Sequence, residues 1–294
     1  MTRMPTFKII LAYDGTQFVG WQRQASGTSI QGLLEDALRE LDQRDVAVTG
    51  AGRTDAGVHA LGQVAGFALE RAIAPDALVS AINARLPDAV RVLSAVEAPP
   101  TFHARFEART KIYRYRLWNG DVMSPFERAY AWHVPGPLAP EPMSAAARVL
   151  EGRHDFAAFQ AAGSETLTTT RVVFSSRIVA GLKPYATSGE DAGLKSCATS
   201  PAPRATSDKN AGLKSCATSV EGRLIVYEIA GSGFLRHMVR NIVGTLVEIG
   251  RGRRPVEWMS EVLASRDRAR AGPTAPAEGL VLVGVEYAAD THAV

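Results

Sequence analysis

Apolar and polar positions along this chain alternate between two periods, and the switches between them mark its elements. Phe7 to Asp14 runs apolar and alternating like a strand, and Ile30, Leu33, Leu34, Ala37, Leu38 and Leu41 then recur at helical spacing. Asp45 to Thr49 and Gln63 to Leu69 read as two short strands around a glycine-rich turn. A helix from Pro75 to Leu86 and a strand from Val90 to Glu97 follow. The order is β-α-β-β-α-β, the ferredoxin-like split pattern, with helices on one face of an antiparallel sheet and the other face free. RNA-recognition modules commonly use such a free face.

The second half repeats the order. A strand near Tyr130 to Val134, a helix from Pro142 to Leu150, strands at Arg171 to Val179 and Arg223 to Ala230, a helix from Phe234 to Ile249 and a strand from Leu280 to Tyr287 are predicted. Between the halves, Lys111 to Trp118 reads as a strand with Tyr113, Tyr115 and Leu117 on one face and Ile112, Arg114, Arg116 and Trp118 on the other. The expectation is an α+β fold of two related ferredoxin-like halves, 1–105 and 106–294, sharing one antiparallel sheet.

One segment breaks this plan. Gly181 to Ser188 reads GLKPYATS, and Gly193 to Ser200 and Gly212 to Ser219 both read GLKSCATS. The units are unequally spaced and too short for a solenoid, so residues 182–219 read as a low-complexity insertion in the second half, mobile, exposed and dispensable. Four of the six lysines, Lys183, Lys195, Lys209 and Lys214, fall within it. So do both cysteines, Cys197 and Cys216, which leaves neither a disulfide framework nor a cysteine-rich zinc site to expect.

The 294 residues suffice for about two domains, and 46% hydrophobic content supplies their cores. The first residues carry no signal-peptide core and no apolar run is long enough for a membrane helix, so the chain reads as cytoplasmic. A net charge of +3 does not by itself imply nucleic acid, but 27 arginines stand against six lysines. Arginine's planar fork suits phosphate and base, although such a bias also arises from genomic composition. Two clusters stand out: Arg105, Arg109, Lys111, Arg114 and Arg116, and Arg236, Arg251, Arg253 and Arg254. Flanking one groove, they would bind phosphate, whereas a basic run is otherwise a solvated face.

The chemistry concentrates in the loop 50–60, Gly50-Ala51-Gly52-Arg53-Thr54-Asp55-Ala56-Gly57-Val58-His59-Ala60. Three glycines let a tight turn present Asp55, Arg53 is near enough to hold the carboxylate ionised, and a fixed ionised carboxylate is a nucleophile. The plainer reading is a hairpin turn with a surface ion pair. A dinucleotide loop fails, because Asp55 occupies the third glycine position and a strand, not a helix, comes next.

On these residues the chain resembles the TruA family of tRNA pseudouridine synthases. The resemblance rests on Gly50 to His59, Tyr13-Asp14-Gly15-Thr16, Gly20-Trp21-Gln22, Phe102 to Phe106, Tyr113-Arg114-Tyr115, Gly231 to Leu235, His237 to Asn241 and Ala275-Pro276-Ala277 with Gly279-Leu280. It covers nearly the whole chain except the insertion. It implies isomerisation of uridine to pseudouridine at positions 38, 39 and 40 of the tRNA anticodon arm, without metal, nucleotide or other cofactor, by a homodimer whose tRNA contacts both subunits. Asp55 would be the catalytic carboxylate. Three routes are open to it: attack on the sugar, attack on the base, or removal of a sugar proton.

By the same resemblance Tyr113 would stack on the flipped uracil and relay the C5 proton, Arg240 would pair with Asp55, and Leu280 would wall the pocket. Arg53 would fill the space left by the extruded base. Arg105 and His59 would contact RNA, although His59 and His103, which lack metal-ligand spacing, are equally read as structural. Each has a plainer alternative: a core tyrosine, an arginine at a helix edge, a core leucine. A non-catalytic RNA-binding protein of the same fold and a glycosidase-like hydrolase are the rival functions, the latter lacking a second acid at a recognisable spacing.

Overall fold

The computed structural model describes residues 4–161, 163, 166, 168–180 and 222–288, so the predicted insertion 182–219 lies outside the described residues. Its strands are β1 (Thr6–Tyr13), β2 (Thr49–Gly50), β3 (His59–Ala68), β4 (Val90–Ala98), β5 (Ala108–Gly120), β6 (Trp132–His133), β7 (Gly152–Asp155), β8 (Thr170–Ala180), β9 (Gly222–Gly231) and β10 (Leu280–Tyr287). The helices are α1 (Ile30–Asp42), α2 (Pro75–Asn83), α3 (Pro140–Arg148), α4 (Met238–Gly250) and α5 (Trp258–Ser265). All strands join one sheet in the order β4-β1-β3-β10-β5-β9-β8-β7, with β2 on β3 and β6 on β5.

Period-two alternation on the strands meets helical stripes across one core. β1 buries Phe7, Ile9, Leu11 and Tyr13, and β5 buries Tyr113, Tyr115 and Leu117, against Ile30, Leu34 and Leu38 of α1, Leu78 and Ile82 of α2, and Ile242, Val243 and Leu246 of α4. α1 starts where the Ser29 hydroxyl accepts from Gly32 N at 3.2 Å, and ends at Gln43 in the left-handed region. α4 is buried on nearly every side, as its sequence MVRNIVGTLVEIG foretells. α1 packs on α2 over one half of the sheet, while α3, α4 and α5 pack together over the other.

Several expectations need correction. The sheet is mixed, not wholly antiparallel: β10 runs parallel to β3 at Val281↔His59 and Leu282↔Ala60, and β6 runs parallel to β5. β3 and β10 lie far apart in sequence with no hairpin between them, so nothing forces opposite directions. The strand expected at Asp45 to Thr49 shrinks to Thr49–Gly50, because Val46 and Val48 are drawn into the core before the backbone reaches β3. The strand near Tyr130 keeps only Trp132–His133, since the Tyr130 hydroxyl turns away to donate to Asp14 Oδ2 at 2.8 Å. α4 begins at Met238 instead of Phe234, because His237 sits at φ 61° and breaks the helix. β7 and α5 are additions that the sequence pattern did not announce.

The face away from the helices is not bare. Ala104 and Phe102 pack there with Ala51, Val64 and Tyr287, and Trp118, Ala131, Leu224 and Val226 form a second small cluster.

Candidate active site

The loop carrying Asp55 bridges β2 and β3 and is clamped by the segment after β1. Trp21 N donates to Thr54 O at 3.0 Å and Gly57 N to Phe18 O at 3.3 Å. Gly20, at φ 106°, lies so close that a Cβ would stand 2.5 Å from Thr54 O, and Gly57, at φ 78°, turns the chain beyond Asp55. Thr54 is buried, and its hydroxyl meets the Tyr13 hydroxyl at 2.9 Å. With Thr54 pinned inward, Asp55 faces the seam between the two groups of helices.

There the start of α4 brings an arginine and a histidine to one oxygen. Asp55 Oδ2 lies 3.4 Å from Arg240 Nη1 and 3.5 Å from His237 Nε2. His237 caps α4 from outside the helix at φ 61°, and Arg240 lies in its first turn, so the two side chains converge from the cap and the first turn. Arg240 is fixed independently, since its Nε donates to Ala275 O at 2.7 Å and Ala275 N donates back to Arg240 O at 3.1 Å. Both contacts to Asp55 are longer than the usual 2.7–3.2 Å of a strong hydrogen bond, so the carboxylate is oriented yet remains available. Burial holds His237 below the usual histidine range, and Arg240, Arg236 and Arg268 reinforce this against the opposing pull of Asp55. Near neutral pH the fixed positive charge beside Asp55 is therefore Arg240.

Tyr113 is buried at the same seam, its ring edge-on to Phe234 with centroids 5.2 Å apart. Burial raises its phenol far above the ordinary value, and Tyr13 and Asp55 add to the effect. Tyr13 is likewise pushed up to about 12, chiefly by burial. Both are neutral phenols throughout the physiological range. Leu280 is buried opposite Tyr115 on the neighbouring strand, and the Tyr115 hydroxyl donates to Pro276 O at 2.8 Å.

The remaining expectations divide. Arg53 is exposed and is not the partner of Asp55; the burial of Thr54 turns Arg53 outward, and Arg240 takes the pairing. His59 is buried, with Nδ1 3.0 Å from Gly15 N and Nε2 3.1 Å from Glu278 O, so both nitrogens are engaged and neither is left for RNA. Its ring packs 5.1 Å from Tyr130. Arg105 is exposed, over the ring of Phe106 at 5.8 Å. Arg114 and Arg116 leave the expected cluster, being neutralised by Glu228 and Glu127 at 2.6 Å each. The second cluster also splits. Arg236 adjoins the site, whereas Arg251 and Arg253 pair with Glu248 at the far end of α4, about 20 Å away by helical rise.

Sequence reasoning assigned no role to His237, Phe234, Tyr13 or Thr54. Among the described residues no three His, Cys, Asp or Glu side chains gather so as to hold a metal ion. No described helix is long and apolar enough to cross a membrane.

Comparison with known proteins bears on this arrangement. A family model described as tRNA pseudouridine synthase matches residues 9–107 and 146–288. The chain is 43% identical over 284 residues to tRNA pseudouridine synthase A of Myxococcus xanthus, covering 97% of this chain and 92% of that protein. It is 40% identical to the proteins of the same name from Pelobacter propionicus and Geobacter sulfurreducens, with 97% of this chain and all of each relative covered.

Proposed function

The chain belongs to the tRNA pseudouridine synthase family, and from that premise we propose that it isomerises uridines 38, 39 and 40 of the tRNA anticodon stem-loop, with Asp55 as nucleophile. As an enzyme it is a tRNA pseudouridine synthase, an isomerase. The observation that carries the site assignment is the convergence of Asp55, Arg240 and Tyr113 from three distant segments on one seam.

The reaction breaks the N1–C1′ bond of uridine, turns the detached uracil and joins C5 to C1′; C5 loses a proton and N1 gains one. Asp55 serves as the nucleophile that carries the intermediate through the turn. Arg240 orients it and sets a positive charge beside it without gripping it. Tyr113, held neutral by burial, offers a flat wall to the uracil and a hydroxyl that relays a proton, accepting one only as it passes its own on. Leu280 closes the apolar side of the pocket.

In this reading the chain consists of two related ferredoxin-like halves, 1–105 and 106–294, whose seam is the active site. The β-α-β-β-α-β order before β5 recurs after it once β7 and α5 are set aside as additions, and this supports it. It acts in the cytoplasm as a homodimer with one tRNA touching both subunits. The test is to map pseudouridine in tRNA transcripts after treatment with the enzyme. New pseudouridine confined to positions 38–40 is expected, and conversion confined to another arm would overturn the assignment.

A further inference from the structure

Lys111 stands two residues before Tyr113 on the same face of β5. Its side chain runs along the Asp55 loop, with Nζ 3.6 Å from the position a Cβ on Gly52 would take. It is mostly buried, yet among the described residues it makes no ion pair or hydrogen bond, and its ammonium is not sealed from solvent. Its neighbours are cations. Burial first, then Arg105 and Arg171, push its pKa down to about 8.

The sheet register explains why Arg171 is there. Lys111 pairs with Gly231 of β9, and Gly231 pairs in turn with Val173 of β8. Arg171 precedes Val173 by two residues and so shares its face. Its Cδ and Nε lie 4.0 Å from the Cβ position of Gly233, beside the Phe234 that packs on Tyr113. Its Nη1 donates to Thr168 O at 2.9 Å and Thr170 O at 2.6 Å, which aims the guanidinium without neutralising it.

Three cations at one end of the seam, none of them in an ion pair with a carboxylate among the described residues, form a place where an anion relieves repulsion. An RNA whose uridine lies against Tyr113 carries a phosphodiester on each side of that nucleotide. We propose that Lys111 and Arg171, with Arg105 at the rim, form an anion subsite that takes a phosphodiester adjoining the target uridine. The assignment rests on the reading of Asp55 and Tyr113 as the uridine site. Lys111 and Arg171 act here as positioning residues.

The test uses anticodon stem-loop RNAs in which each linkage flanking the target uridine is replaced singly by an uncharged methylphosphonate. Dissociation constants and turnover are measured for the parent enzyme and for Lys111→Met, Lys111→Arg and Arg171→Gln. In the parent, one neutral linkage should weaken binding about tenfold, as expected for a lost charge-assisted contact. Lys111→Met and Arg171→Gln should weaken binding of the unmodified RNA about as much, stop responding to that linkage, and lower the salt slope by roughly one each. Lys111→Arg should restore the response. Parent-like affinity in both neutral variants, or undiminished sensitivity to the neutral linkage, would overturn the subsite. If the parent binds in this pattern but converts no uridine, the subsite stands and the catalytic reading falls.

Discussion

Asp55 shares one carboxylate oxygen between Arg240 and His237, and only Arg240 is charged near neutral pH. Arg240→Gln should therefore lower kcat by roughly a hundredfold while changing tRNA affinity little, as single-turnover assays and filter binding would show. Comparable losses in both would instead make Arg240 an RNA contact. Tyr113→Phe keeps the ring against Phe234 and removes the hydroxyl. It should retain tRNA binding and lose turnover, whereas Tyr113→Ala should weaken both, with base stacking accounting for about 1–3 kcal/mol. Full activity in both variants would return Tyr113 to the core. Lys111 gives a signed prediction for stability. Its folded pKa, about 8, lies below its ordinary 10.5, so the unfolded chain holds the proton more tightly between those values. The penalty is full below about 8 and fades as pH rises towards 10.5. Lys111→Met should raise the melting temperature at pH 7, with a gain that shrinks on approaching pH 10; a gain independent of pH would mean that charge is not the cause. Asp55, Tyr113 and Arg240 were legible in the sequence because each lies in a motif of the resemblance. The partner of Asp55 was legible only through that resemblance, since adjacency pointed to Arg53. That Thr54 is buried and Arg53 turned outward depends on Tyr13, 41 residues away.

Among the elements, strands and helices whose apolar stripes face the core were readable, and those defined by backbone geometry were not. β10 falls at Leu280–Tyr287 as expected because its apolar run is bounded on both sides. The early start expected for α4 came from counting Phe234 and Leu235 as helix, when the positive φ of His237 makes them part of the turn. β7 is four mostly polar residues at the sheet edge, with no period to detect. The β8–β9 pair carries its own prediction. Its ladder runs in register from Ser175↔Ala230 to Ala180↔Ile225, and closing a long connection costs only about 0.6 kcal/mol per doubling of length. Replacing residues 182–219 with a short Gly/Ser linker should leave melting temperature and turnover nearly unchanged. A loss of turnover beyond about tenfold with the melting temperature preserved would assign those residues to the substrate site, because loop entropy alone does not act on turnover.

At the scale of the whole molecule, the sequence pattern leaves the sheet face away from the helices free, and the structure covers part of that face. Phe102, Ala104 and Ala131 lie in the segments that cover it, and Asp55, Arg240 and Tyr113 gather on the helix side, in the seam over β3, β10 and β5. This could not be read from periodicity, which tells that a strand has two faces but not which one a distant loop will cover. The basic clusters were sorted by tertiary structure in the same way: Glu228 and Glu127 withdraw Arg114 and Arg116, and the register of β8 brings in Arg171, which no linear cluster contained. The proposed isomerisation depends on one carboxylate. Asp55→Asn preserves shape and hydrogen-bonding capacity while removing the negative charge, so tritium release from tRNA labelled at uridine C5 should be compared with tRNA affinity on the same preparations. The expected result is turnover lowered by at least roughly a thousandfold with affinity within about threefold of the parent, as for removal of a nucleophile. Turnover within about tenfold of the parent, with the fold intact, would contradict the account.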